Sequence, residues 1–483
     1  LGCCELPTPR RLWIAFFAAV VWLVPPVQSA AVAYVSGRAD PLSATFGFGA
    51  LFLGLRLRRA RGSGKWWLGF GTTLALLASA LSKEMGLIFL LLFLLLAIAQ
   101  KRRGSLIGAL SIVMAVLVIY LSLRLPAEHL PAPPARGSTP LLVRPIVVAR
   151  TAAEYAGLLV FPLHLHMDRD VETHPSGFVD ASRDWAAWRE LQTLLGLLLL
   201  AAFAYALWLA RRRPAIFLPL LLAVTSYLPI SGLVRLNATV AEHWLYLPSA
   251  FLFLGAAVAL DSLGGRTRRL LWICLTIWLV FLPVRTFLRC FDWHDQRTFL
   301  TRTIAAGGDS ARMWINLANL EMNDGHLPEA QRDLEKALAK EPRNSLALLD
   351  LGAVAIRQRD FARARMLLTK ITDPPALEAR AQESLAVLEN RETGRMNLLR
   401  LRLAARTGPA NWSIEKRYIK ALTDAGFPDR ALTELKTCLG LAPYRAESWQ
   451  LMSELLQRIH RPNEAAIALS QAEANDVHLH QHE

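Results

Sequence analysis

Apolar runs of membrane-helix length recur along the first part of the chain, and a different periodicity takes over after them. Leu12–Val24, Pro41–Leu57, Trp66–Leu81, Met85–Gln100, Leu106–Leu123, Leu194–Ala210, Ile216–Leu233, Ser249–Leu263 and Leu270–Leu288 are each mostly apolar, which predicts nine spans. With their flanks they approach the roughly 20 residues that an untilted helix needs to cross about 30 Å of hydrocarbon. Another apolar stretch, Pro140–Asp168, is interrupted by Arg144, Arg150 and Glu154 and bracketed by Pro145 and Pro162. That pattern predicts an in-plane or re-entrant helix over 143–163 on the outer face.

From about Asp309 the chain is rich in Ala, Leu, Glu and Arg with helical periodicity, and similar segments return at about 34 residues, the period of a tetratricopeptide repeat (TPR). Trp314, Leu317, Ala318, Gly325, Ala330, Leu334, Ala337 and Pro342 occupy the positions where that repeat places its Trp, Leu, small residue, turn Gly, Ala, bulky residue, Ala and Pro. Leu351, Gly352, Phe361, Ala364 and Leu368 repeat the pattern. Gly426, Ala431, Leu435 and Pro443 do so again, followed by Trp449, Ala465, Leu469 and Ala472. Between them Ala379–Asn411 has the length of a repeat but few of its residues. Small residues at fixed positions let paired helices approach, and the recurring Pro ends the second helix of a pair. Five units, one of them degenerate, suffice for a stacked solenoid. One internal helix position reads Asn316, Asp350, Ser384, Arg417, Leu451, so an asparagine ladder for a peptide backbone is not evident. The fold class that follows is all-α: a polytopic transmembrane helical domain over 1–305, then a TPR solenoid over 306–483.

Composition agrees with two parts, since 53% hydrophobic and 19% charged residues are too apolar for one soluble domain and too charged for membrane throughout. The net charge of +15 would suit nucleic acid if the basic residues formed a patch, but they sit in short loops between apolar runs. Arg10-Arg11, Arg56 to Lys65, Lys101 to Arg103, Arg211 to Arg213 and Arg266 to Arg269 fall in every second connection. The positive-inside rule puts those loops in the cytoplasm, and the basic excess becomes a topology signal with no nucleic-acid partner. The solenoid then lies outside, as do Arg38 and Asp40, Lys83-Glu84, Asp168-Arg169-Asp170, and Arg235 through Glu242-His243. Cys3, Cys4, Cys274, Cys290 and Cys438 lack the paired spacings of a zinc site or a disulfide scaffold.

Taken singly, the outer charges have plain readings. Arg38 and Asp40 in "YVSGRADPLSA" suit an ion pair ending a helix, and Lys83-Glu84 suits an interfacial cap. Glu242, His243 and Tyr246 share a helical face, while Trp244 and Tyr246 also suit an aromatic belt. His164, His166 and Asp168 alternate as metal ligands can, but such an alternation is more often loop, and His478, His480 and His482 look like a solvated tail. Together, Arg, Lys, Glu, His and Asp on one side of a many-span protein suit a lipid-phosphate substrate. Cations would hold its phosphates, and a carboxylate would take the proton of an acceptor hydroxyl.

"VPPVQSAAVAYVSGRADPLSA", "LLASALSKEMGLIFLLL" and "AEHWLYLPSAFLFL", in that order and followed by TPRs, resemble the transmembrane and tetratricopeptide-repeat-containing O-mannosyltransferases and their bacterial relatives. The resemblance runs from about residue 12 to 475 and implies a GT-C glycosyltransferase membrane domain. Such an enzyme moves a mannose-like hexose from a polyprenyl-phosphate carrier to a protein acceptor on the outer or periplasmic face, with the TPRs engaging the acceptor. Alternatives are a non-catalytic membrane-anchored TPR scaffold and a lipid-linked glycan ligase or transporter.

By motif, Arg38 and Asp40 match the family's Gly-Arg-x-Asp, Lys83 and Glu84 its Ser-Lys-Glu, and Glu242, Tyr246, Pro248 and Ser249 its Glu-Arg-x-Leu-Tyr-x-Pro-Ser. The resemblance implies that Arg38, Lys83 and His243 bind the donor phosphate, and that Asp40, Glu84, Asp168, Glu242 and Tyr246 organise the pocket. It implies membrane lipid, a polyprenyl-phosphate sugar and a protein acceptor as partners. It assigns no resident cofactor and no metal ligands, though a divalent metal is compatible with the chemistry. Two residues depart from the family: His243 stands where Arg is usual, and Pro25 where His often precedes Pro26. The family carries its catalytic acid in a first extracytoplasmic loop, so the resemblance implies that this group and two further spans lie before residue 1. Leu, Ala and Arg usage points to a bacterium of high GC content, with an inner-membrane protein and periplasmic TPRs.

Overall fold

The computed structural model describes residues 8–57, 60–99, 103–127, 141–171, 183–234, 236, 238–407 and 411–480. Cys3, Cys4, Arg58, Arg59, Lys101, Arg102, Arg235 and His482 lie outside the described residues. The chain divides into two units, Leu1–Met313 and Trp314–Glu483. Helices form both, and the one strand-like pairing among the described residues is an isolated antiparallel bridge between Arg169 and Val240.

In the first unit the helices are α1 (Thr8–Leu23), α2 (Val27–Ala33), α3 (Ala39–Leu57), α4 (Ser63–Ser82), α5 (Ile88–Ala99), α6 (Arg103–Ala127), α7 (Arg144–Val160), α8 (Arg183–Ala210), α9 (Pro214–Tyr227), α10 (Tyr246–Asp261), α11 (Gly265–Phe291) and α12 (Gln296–Ala305). Each predicted apolar run lies mainly in a helix. By length and composition four helices among the described residues can cross a membrane: Gly104–Leu125, Ala187–Ala210, Glu242–Asp261 and Gly265–Phe291. The total is five if Pro9–Leu23 and Val27–Ala33, bent by 73°, count as one span. Pro25 and Pro26 occupy that bend, where they cannot supply the backbone donors that would continue α1. Of the remaining runs, α3 and α4 have 19 and 20 residues but are diluted by Gly, Ser and Thr. Glu84–Ala99 and Pro214–Ile230 are apolar but shorter.

Two helices that carry motif residues are joined in the apolar interior. The Ser43 hydroxyl donates to the Ser79 carbonyl at 3.0 Å, and the Ser79 hydroxyl donates back to the Ser43 carbonyl at 2.8 Å. Both serines are buried, and the reciprocal bonds let α3 and α4 approach closely. Leu51, Leu76, Phe89, Leu92 and Phe251 belong to one buried cluster, which draws α3, α4, α5 and α10 into a common core.

Among the described residues the solenoid has five helix pairs: α13 (Ala311–Asp324) with α14 (Leu327–Lys340), α15 (Ser345–Arg357) with α16 (Phe361–Leu368), α17 (Pro375–Thr393) with α18 (Leu398–Thr407), α19 (Trp412–Asp424) with α20 (Pro428–Leu441), and α21 (Ala446–Arg458) with α22 (Pro462–His480). The small repeat positions Ala318, Ala330, Ala337, Ala364, Ala431 and Ala465 are buried, as close helix approach requires. Ala379–Asn411, weak in the repeat motif, lies largely in the pair α17 and α18, with Ala379, Leu385 and Leu401 buried in place of the usual residues. Successive pairs are tied by contacts separated by nearly one repeat. Arg357 Nη1 donates to the Met322 carbonyl at 3.0 Å, 35 residues away, and Arg417 Nε to Glu383 at 2.6 Å, 34 away. Trp412 Nε1 donates to Glu447 at 2.6 Å, 35 away, and Arg458 Nη1 to Asp424 at 3.2 Å, 34 away.

Candidate functional site

The three motifs share one local form: a four-residue 3-10 turn feeding an apolar helix. Val35–Arg38 leads into α3, Glu84–Leu87 into α5, and Glu242–Leu245 into α10. A 3-10 turn has about three residues per turn, so consecutive side chains diverge by about 120°. Adjacent charged residues therefore face different partners, which corrects the expectation that Glu242, His243 and Tyr246 share one face.

Two of these turns depend on glycine. A Cβ on Gly37 would lie 2.7 Å from the Ala30 carbonyl oxygen. On Gly86 it would lie 2.1 Å from the Ser79 carbonyl oxygen and 2.6 Å from the Ser43 hydroxyl. The chain passes the α3–α4 serine pair so closely that no side chain fits. Beside it, Lys83 caps α4 in an extended conformation, φ −162° and ψ 147°, and leaves the helix path before the turn begins.

Lys83 and Asp40 meet at 2.7 Å, and the His243 Nε2 atom is 4.0 Å from the same Asp40 oxygen. Three segments far apart in sequence thus converge on one carboxylate. Arg38 and Asp40 do not pair with one another. The exposed Arg38 donates through Nε to the Val32 carbonyl at 2.9 Å, and its terminal nitrogens have no partner among the described residues. Glu84 turns away from Lys83 to Arg124 at 2.9 Å. Tyr246 packs on Trp22, ring centroids 4.8 Å apart, and its carbonyl accepts the Trp22 indole N–H at 2.8 Å. Tyr34 flanks His243, with ring centroids 6.1 Å apart.

Glu242 and Asp168 belong to a second, buried network. Glu242 is 0% exposed and lies 3.3 Å from Arg289 and 3.6 Å from Arg169. Arg169 also pairs with Glu154, whose other oxygen accepts from Gln192 at 2.7 Å. Asp168 accepts from Ser310 and Arg312. The His166 Nδ1 is 2.9 Å from the Asp168 carbonyl, an acceptor, so this nitrogen carries the proton. Burial first, and the Arg169 charge next, hold the His166 pKa down at about 3, so the ring is neutral.

Arg289, Arg169, Glu154 and Arg124 do much to build these surroundings; Arg289 and Arg124 were not singled out from the sequence, and Arg169 and Glu154 were named there only as a loop charge and as a break in an apolar run. Arg289 carried the one usable signal, an arginine at the end of the last apolar run, four residues beyond Arg285. Arg285 donates to the carbonyls of Pro162 and Leu163, at 3.1 and 2.8 Å.

An apolar cavity of about 870 Å³ lies within the first unit, bordered by Tyr155, Phe203, Tyr227, Leu252 and Trp278. Leu245, Pro248 and Ser249 also border it, so the third motif touches the cavity. In the solenoid, Asp350 is buried and hydrogen-bonded to Asn319, and burial raises its pKa. Among the described residues one group has the ligand atoms for a metal, Glu321, Asp324 and His326, with Glu321 and His326 already 3.0 Å apart.

No family model matches the chain. Over 377 residues it is 25% identical to "Protein O-mannosyl-transferase TMTC3" of Mus musculus, covering 70% of this chain and 39% of that protein. Over 336 residues it is 23% identical to "Protein O-mannosyl-transferase F38B6.6" of Caenorhabditis elegans, covering 68% of this chain and 46% of that one. The chain thus spans less than half the length of these curated relatives. Among solved structures it is similar to "YrrB: a TPR protein with an unusual peptide-binding site", at 19% identity and a TM-score of 0.27, over 36% of this chain and 91% of that one. The resemblance carried by the three motifs is therefore matched by sequence relatives named as O-mannosyl-transferases.

Proposed function

We propose that this chain, a membrane protein related to protein O-mannosyl-transferases, serves in glycosyl transfer from a polyprenyl-phosphate sugar to a protein hydroxyl on the outer face. The sugar is a mannose-like hexose, and the solenoid engages the acceptor. In the reaction the acceptor oxygen attacks the anomeric carbon, the bond from that carbon to the phosphate oxygen breaks, and the hydroxyl proton passes to a base. Polyprenyl phosphate leaves with an added negative charge. Cations placed at that phosphate lower the barrier because the charge grows as the bond breaks.

The observation that carries the reading is the convergence of Lys83, Asp40 and His243 from three separate motifs. Arg38, with its terminal nitrogens unengaged, is suited to grip a phosphate, and Asp40 holds Lys83 in position at 2.7 Å. The apolar cavity, of a size usual for ligand sites, supports a long-chain carrier. His243 in place of the family's Arg offers a weaker grip when neutral, which shifts the burden to Arg38 and Lys83.

Asp40, Glu84, Asp168 and Glu242 are all engaged by cations. That favours holding the donor over acting as the base, and a scaffold without chemistry would share this feature. The test is transfer of radiolabelled mannose from mannosyl-phosphoryl-polyprenol to protein by the intact natural protein in nanodiscs. Arg38→Ala and Lys83→Ala each lower transfer by roughly tenfold or more, the loss expected for a charge-assisted contact. Unchanged turnover in both variants would refute the assigned roles. Movement of a whole glycan would identify a ligase, and no transfer by the unaltered protein would leave the scaffold.

A further inference from the structure

The degenerate third repeat presents a surface that the sugar chemistry does not use. On α18, Leu401 and Ala404 are fully buried, while Leu399 is 74% and Leu403 47% exposed. Arg402 and Arg406 are exposed too. Leu399, Arg402, Leu403 and Arg406 are spaced i, i+3, i+4 and i+7, so they form one continuous stripe along the helix. The neighbouring Arg400 is different: its Nε donates to Glu389 at 2.7 Å and Nη1 to Gln382 at 2.9 Å. Among the described residues no carboxylate lies within ion-pair distance of Arg402 or Arg406. No acidic residue occurs in the sequence between Glu392 and Glu415, a stretch that also contains Arg395.

We infer that this stripe rests on an anionic membrane surface, with Leu399 and Leu403 entering the headgroup region and Arg402 and Arg406 on lipid phosphates. An exposed leucine alone is ordinary. Two leucines alternating with two unpaired arginines on one rigid face match the chemistry of an interfacial helix, whose long cationic side chains reach headgroups while its apolar ones insert. Helices of this same chain are long and apolar enough to span a bilayer, so a membrane surface is available at high effective concentration. The weak repeat consensus has a physical reading on these terms, because α18 keeps its buried side and spends its outer side on lipid. The inference goes beyond sugar transfer and does not depend on it.

Hydroxyl-radical footprinting of the full chain tests it, in nanodiscs of phosphatidylcholine alone and of phosphatidylcholine with phosphatidylglycerol. Oxidation of Leu399 and Leu403 falls in the anionic discs, by roughly fivefold for each arginine engaged. Raised salt restores it, as does the double substitution Arg402→Glu with Arg406→Glu, while the exposed Leu441 and Tyr444 report no change. All four stripe positions are exposed, so the variants retain the fold. Equal oxidation in both discs overturns the inference. Protection that persists in detergent assigns the stripe to a second copy, and protection that needs an added acidic protein assigns it to that partner; either result overturns the lipid contact.

Discussion

Replacing Arg289 by methionine removes the main counter-charge of a carboxylate that has no access to water. Arg289 is 1% exposed, and its guanidinium donates to the Leu165 carbonyl at 2.9 Å, to Asp292 at 3.0 Å and to Glu242 at 3.3 Å. Methionine fills much of the same space, so the cost is electrostatic more than a matter of packing. Glu242 would retain only Arg169 at 3.6 Å, and that arginine is shared with Glu154. Breaking a buried ion pair from one side typically costs about 3–5 kcal/mol. An unfolding entropy of about 2.1 cal/mol/K per residue, applied to a unit ending at Met313, converts this to a fall in Tm of roughly 5–8 °C. The assay is thermal unfolding of the full chain in nanodiscs. The double variant Arg289→Met with Glu242→Met removes both charges and recovers most of the loss. A single-variant shift under about 2 °C, or a double variant no better than the single, would refute the view that burial of an unpaired charge sets the cost.

Two other outcomes follow from geometry already described. Gly86→Ala costs about 1–3 kcal/mol or more, because the neighbour its Cβ meets is backbone at 2.1 Å; Gly49→Ala, with nothing within 4 Å, is the control, and equal Tm values for the two would discount the close approach. For His166, burial holds the folded pKa at about 3 against an ordinary 6.5, with Arg169, Arg289 and His164 opposing its charge. The unfolded chain therefore binds the extra proton first, and stability is lost as pH falls through that window, by up to about 1.4 kcal/mol per unit. The difference in Tm between the natural protein and His166→Asn, measured from neutral to mildly acidic pH, should narrow as pH falls; a constant difference would exclude His166 as the source.

Periodicity carried the architecture well. Apolar runs located helices of the first unit, and small residues at repeat spacing located the helix pairs, because both patterns follow a regular element. The degenerate pair α17 and α18 was legible only by length, since Leu385 and Leu401 fill the core without repeating the motif. Side-chain direction was less legible. Lys83 and Glu84 are adjacent in sequence, yet one reaches Asp40 and the other Arg124, because the extended cap and the 3-10 turn rotate them apart. Helical spacing put Glu242 beside His243 on one face, whereas the turn sends Glu242 into the Arg289 network and His243 toward Asp40. Arg169 and Glu154 act through contacts across loop and helix that no spacing along the chain reveals.

The ties between successive helix pairs, each reaching across 34 or 35 residues, bear on how such a solenoid can change over generations. Gain or loss of a whole repeat moves both ends of each distant tie by the same amount, and the surviving partners still meet. A one-residue insertion inside a helix rotates one end by about 100° and breaks the tie that spans it. Heritable change in the length of this solenoid is thereby channelled into steps of one helix pair, while the outward faces of individual helices remain open to substitution.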